Sequence, residues 1–201
     1  MPILGKCNGW NMLEVAFGII AFILFVIYDL EQARFLSNKY HGIIRLFFLV
    51  GFVFLIISTI SAVYQSEIWR LTEVASARFF LLCALFFLVL LFYTLFFALP
   101  FEETYVSQNG FTTYDKGVYA LCRHPGVLWF FGFYLFLWLA LRGETLFLIT
   151  LIFNILNFGY VVLQDCLTFP RVFCDYDNYK KYVPFLIPNL NSIKECIKIL
   201  H

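Results

Sequence analysis

Arg123 and His124 stand side by side directly before Pro125, at the mouth of a long apolar run. A guanidinium offers a planar fork of donors that binds and orients carboxylates. An imidazole takes up or releases a proton near neutral pH. Tyr114, Asp115 and Tyr119 precede the pair, and Gln164 and Asp165 close the following apolar run. The two runs, Pro125 to Leu141 and Thr145 to Gln164, are joined only by Arg142-Gly143-Glu144, so they form an antiparallel hairpin that returns Asp165 to the level of Arg123. A cation, an imidazole, phenols and a carboxylate are therefore expected to converge at a membrane boundary. The plainer alternative is an arginine that snorkels to lipid phosphates beside a proline that starts a helix. The company of Asp165 is what favours a site.

The elements that position these residues are apolar helices. Of the 201 residues, 62% are hydrophobic, 21% aromatic and only 13% charged, well beyond a soluble domain. A charge-poor run of about 18 or more residues spans a ~30 Å hydrocarbon core as a helix, which satisfies its own backbone. Five runs qualify as predicted spans: Trp10 to Tyr28, Ile43 to Tyr64, Phe79 to Pro100, Pro125 to Leu141 and Thr145 to Gln164. The first is read as a retained span, since it carries Glu14 at its start and no small-residue cleavage site follows it. The reading is an all-α polytopic bundle forming one domain over residues 1–201, with a three-span scaffold in 1–100 and a site-bearing half in 101–201.

Ten of the 14 Lys and Arg residues fall on one face of this arrangement, among them Lys116, Arg123, Arg171, Lys180 and Lys181. Lys6, Arg70, Arg78 and Arg142 fall on the other. The basic excess marks the cytoplasmic side, so the N-terminus is expected outside and the C-terminus inside. The net charge of +1 gives no sign of a nucleic-acid partner. Six scattered cysteines, with no Cys-x-x-Cys pair, indicate neither a metal site nor a disulfide framework. The membrane is expected to be a bacterial inner membrane or the endoplasmic reticulum.

The order Gly117-x-Tyr119-x-x-x-Arg123-His124-Pro125, an apolar hairpin, Gln164-Asp165, then Tyr176-x-x-Tyr179-x-x-x-Val183-Pro184 and Ile187-Pro188 resembles a known family. It looks like the isoprenylcysteine carboxyl methyltransferases and related phospholipid methyltransferases, over approximately residues 110–190. The resemblance implies catalytic roles for Arg123, His124 and Asp165, and an S-adenosylmethionine pocket formed by Gly117, Tyr119, Arg123, His124, Pro125, Gln164, Asp165, Tyr176 and Tyr179. It also implies a membrane lipid or lipidated acceptor arriving through the bilayer. The chain departs from the family where Trp129 replaces a glycine and where Gln164-Asp165 replaces paired glutamates.

Chemistry independent of the resemblance points the same way. Transfer of a sulfonium methyl to a carboxylate annihilates charge, which a dry membrane-edge pocket favours. Arg123 could position such an acceptor through a bidentate fork. An amine acceptor must lose a proton, which His124 or Asp165 could take. Two other readings compete: an NADPH-dependent reductase of the membrane sterol and steroid type, and a non-catalytic protein that binds lipid or assists another membrane protein. Glu14 is expected near the interface, and Asn154 and Asn157 are expected to bridge helices, with ligand contact as the alternative. Glu102 and Glu103 read as solvated. A short amphipathic helix is predicted for Ile193 to Leu200.

Overall fold

In the computed structural model the described residues are 10–33, 41–98 and 112–200. Glu102 and Glu103 lie outside them. All regular structure among them is helical: α1 (Trp10–Gln32), α2 (His41–Tyr64), α3 (Arg70–Glu73), α4 (Ala75–Phe96), α5 (Val118–Leu121), α6 (Pro125–Leu141), α7 (Glu144–Leu163), α8 (Phe169–Val172), α9 (Tyr176–Tyr182) and α10 (Leu190–Leu200). The protein is a polytopic helical bundle. Four helices are long and apolar enough to cross a membrane, and α6 is a shorter apolar fifth.

Long helices alternate in direction, so the molecule has two ends. At the end remote from the site, Glu67 N–H donates to the Leu141 carbonyl (3.1 Å), tying the end of α2 to the end of α6. The α6–α7 link is the tight connection expected. Arg142 takes a left-handed conformation, φ 56°, as the C-cap, with its guanidinium over the Trp138 ring at 5.0 Å. Gly143 follows because Ser66 crowds it, with Oγ only 2.3 Å from where a Cβ would stand.

Length differences create the recess that holds the site. With the far ends level, the 24 residues of α2 rise about 36 Å and the 17 of α6 about 26 Å. The start of α6, with Arg123 and His124 before it, therefore sits about 10 Å below the start of α2. Phe48 and Phe52 of α2 face Pro125 and Phe130 across that recess.

Packing follows from small residues on facing helices. Ala21, Ala62, Ala84 and Ala140 are fully buried and let backbones approach, which is how helices associate where lipid removes the hydrophobic drive. Large side chains of α4, such as Phe79, Leu82, Phe86 and Val89, remain exposed, as a lipid-facing surface requires. Glu14 lies in the first turns of α1, level with the end of α2. It is 2% exposed, inside the bundle, accepting hydrogen bonds from Ser61 Oγ (2.7 Å) and Gln65 Nε2 (2.6 Å). Helix α1 also runs one turn beyond Tyr28, which places Asp29 and Glu31 within it. Asn154 does not bridge helices, since its side chain donates to the Thr150 carbonyl one turn back (2.7 Å).

Gly18 packs against the fully buried ring of Phe153, whose Cε1 and Cζ would collide with a Cβ at this position. Gly18→Ala should therefore destabilise by about 1–3 kcal/mol through overpacking. Gly159 has open space at its Cβ position, and Gly159→Ala should be neutral or stabilise by up to about 1 kcal/mol. Thermal unfolding of the two variants in detergent checks the contrast.

Candidate functional site

Asp165 is the hub of the site. Helix α7 ends in a π turn, Gln164–Thr168, where Phe169 N–H bonds to the Gln164 carbonyl five residues back. The extra residue in this turn re-aims the side chains, a device common at functional sites. It points the Asp165 carboxylate inward, 5% exposed. Arg123 Nη2 donates to Oδ2 (3.2 Å), and Nε lies 2.9 Å from Oδ1 without the alignment of a hydrogen bond. His124 Nε2 sits 3.2 Å from Oδ1. Tyr176 donates its phenol to Oδ1 (2.6 Å), and Lys180 Nζ lies 3.3 Å from Oδ2.

The segment after α9 is zipped onto the Arg123-His124 backbone. Arg123 N–H donates to the Pro184 carbonyl (2.9 Å) and His124 N–H to that of Phe185 (3.3 Å). Arg123 Nη1 donates to the carbonyls of Lys180 (3.2 Å) and Val183 (3.4 Å). The imidazole stacks on Phe169 (5.7 Å, 13°) and meets Phe185 edge-on (5.2 Å). Tyr179 donates to the Tyr119 carbonyl (2.7 Å), and Tyr119 to that of Thr94 (3.0 Å), which fastens α9 and α5 to α4.

The hairpin thus brings Arg123, His124, Asp165 and Tyr176 together as the sequence implied, with Tyr179 beside them. Arg123, His124, Tyr176 and Tyr179 line a cavity of about 330 Å³ together with Pro125, Tyr119 and Gln164, whereas Asp165 is not among its lining residues. Gly117 instead makes the turn into α5, with φ 59° that only glycine adopts without strain, and stands outside the cavity wall. Gln164 turns away from Asp165 and donates to Asp29 Oδ2 of α1 (2.7 Å). Trp129 commits its indole to α4, donating to Thr94 Oγ1 (3.0 Å). Asn157 lines the cavity.

Lys180 and Asp29 are partners that sequence reasoning missed. Lys180 looked like one more basic residue of a cytoplasmic tail, although its spacing of four from Tyr176 places both on one face of α9. Asp29 looked like the end of a span.

Burial and the Asp165 charge push the Tyr176 phenol well above its ordinary range, and burial does the same for Tyr179. Both act as hydrogen-bond donors at neutral pH. Burial pushes the Cys122 thiol up to about 11, so it stays protonated. Among the described residues no cluster of His, Cys, Asp and Glu could hold a metal ion. Comparison with protein-family models, curated proteins and solved structures finds no match.

Two outcomes follow from this geometry. Asp165→Ala leaves the nearly buried Arg123 without its counterion, a change that costs about 3–5 kcal/mol, and Tyr176→Phe should cost about 1.5–3 kcal/mol; unfolding midpoints in detergent measure both. Of two single-cysteine variants at pH 7.5, one retaining exposed Cys174 should react with maleimide, whereas one retaining Cys122, 1% exposed, should react only as the pH approaches 11.

Proposed function

We propose that this protein is an integral membrane enzyme that transfers the methyl group of S-adenosylmethionine to a lipidic or prenylated acceptor, a carboxylate or an amine. The observation that carries the reading is a cavity with two characters. Its polar end is formed by Arg123, His124, Tyr119 and Gln164, and its other walls by Phe52, Leu55, Leu91, Leu95 and Phe130. Those five apolar residues also wall an adjoining crevice of about 250 Å³ between α2 and α4. Across that crevice the two helices barely approach one another. A polar head could sit at the buried ion cluster while its chain runs out between the helices toward lipid.

The residues fit the cofactor. The cavity has the volume of a small-ligand pocket. Tyr160, Phe169 and Tyr176 present aromatic rings along it, the kind of surface that attracts a sulfonium. Bound there, S-adenosylmethionine would supply an electrophilic methyl carbon, whose bond to sulfur breaks as the acceptor's lone pair attacks.

The hydrogen bonds support distinct roles for the chain's own groups. Arg123 has its fork committed to Asp165 and two carbonyls, so it contributes field rather than a bidentate grip on the acceptor. Donation from His124 Nε2 to Asp165 leaves Nδ1 as the ring's proton acceptor, available to an ammonium that must become an amine. Asp165 orients that ring, which makes it a positioning residue.

A nicotinamide dinucleotide suits this cavity less well. Among the described residues the lining contains one permanent cation, Arg123, already paired, whereas NADPH carries three phosphates that need several.

The protein in nanodiscs containing phosphatidylethanolamine should bind S-adenosylmethionine saturably and leave NADPH unbound. His124→Ala should lower methylation of an amine acceptor by about 10²–10⁴-fold, with cofactor affinity little changed. Binding of NADPH alone overturns the reading in favour of a reductase. Binding of neither ligand overturns it in favour of a non-catalytic lipid-binding or accessory protein.

A further inference from the structure

Residues 112–117 lead into α5 without helix or strand. Thr113 and Tyr114 are half-buried and line the cavity, whereas the next two residues, Asp115 and Lys116, are exposed. A single layer of chain therefore stands between the cavity and the exterior at this point. An aspartate that forgoes its usual task fastens this layer to α9. Asp175 is the N-cap of α9, where a carboxylate ordinarily accepts from the N–H groups of its own first turn, yet its side chain makes no such bond. The backbone carbonyl of Asp175 takes the N–H groups of Asn178 (3.0 Å) and Tyr179 (3.1 Å) instead. That leaves the carboxylate free to reach across to Thr113, whose N–H donates to Oδ1 (2.8 Å) and whose hydroxyl donates to Oδ2 (2.9 Å).

Two bonds to both oxygens of one carboxylate fix the orientation of the segment as well as its position. Thr113 and Asp175 are both half-buried, so water takes over these bonds when they break, and opening here costs less than in the buried part of the site. At the other end of the segment stands Gly117, at φ 59° and with nothing within 4 Å of the place of a Cβ, so the backbone can turn there without collision. The geometry points to a door on the aqueous side of the cavity: residues 112–117, hinged at Gly117 and latched by Asp175 to Thr113, swing aside to pass water-soluble ligands. The crevice between α2 and α4 stays the route for lipid, so the two entrances serve ligands of opposite solubility. The door goes beyond the methyl-transfer reading and does not rest on it, because it follows from the cavity wall alone.

The experiment places a cysteine inside the cavity and times its reaction with sulfonatoethyl methanethiosulfonate, a charged reagent that does not pass through lipid. Gly126→Cys serves as the target, since Gly126 lines the cavity and a Cβ there meets only Leu91 Cδ1, at an ordinary 3.8 Å. Native Cys122, 1% exposed, is the control within the same molecule. Peptide mass mapping of the full chain in nanodiscs follows the two sites separately. With the latch intact, Cys at 126 should react slowly; adding Asp175→Ala should raise its rate by about tenfold or more and leave Cys122 unreactive. An unchanged rate at 126 overturns the door. A rise at Cys122 by the same factor also overturns it, because the whole site has then loosened rather than one segment. If Asp175→Ala does not fold, Thr113→Val decides: it removes one of the two latch bonds, a rise of about threefold at 126 is expected, and no rise overturns the door.

Discussion

One buried carboxylate organises the half of the molecule that carries the site. Asp165 is approached by two permanent cations, an imidazole and a phenol. An ion pair removed from water is stable only when its geometry is good and its remaining valences are met. Here that demand draws in α7, the residues before α6, and α9 together. The chain from Lys180 to Phe185 is then held by its own carbonyls to Arg123 and His124. Removing the carboxylate therefore reaches folding first, and Asp165 serves as a keystone of this half of the molecule.

The depth of the site is a consequence of helix length. Because α6 is the shortest of the five apolar helices, its start lies below that of α2, and a polar cluster can sit within the thickness of the bundle. The same recess leaves room for a cavity floored by Pro125 and Gly126 and walled by the phenylalanines of α1 and α2. Aromatic side chains serve two purposes here. Most cover lipid-facing or core surface, while a subset lines the cavity that Arg123 also lines.

Two residues that differ from the pattern of the resembled family have physical roles in place. Trp129, where the pattern has a glycine, spends its indole N–H on Thr94 and braces α4 against α6. Gln164, where the pattern has a glutamate, faces a carboxylate from another helix, Asp29. An amide is the sensible residue there, because a second carboxylate at 2.7 Å would repel the first.

Much of the architecture was legible in the order of residues. A charge-poor run long enough to span lipid has one economical conformation, and a three-residue link such as Arg142-Gly143-Glu144 permits one relative direction, so the bundle and the meeting of Arg123 with Asp165 followed from local rules. Contacts across long separations did not. Glu14 beside Ser61 and Gln65, Asp29 beside Gln164, and Lys180 beside Asp165 depend on which face of each helix turns inward. In a chain this apolar, hydrophobic periodicity hardly distinguishes the face toward lipid from the face toward protein, because both environments accept the same side chains. Only the packed structure, through the lateral order of its helices, their unequal depths and the π turn at Gln164, decided which polar groups meet and where the cavity opens.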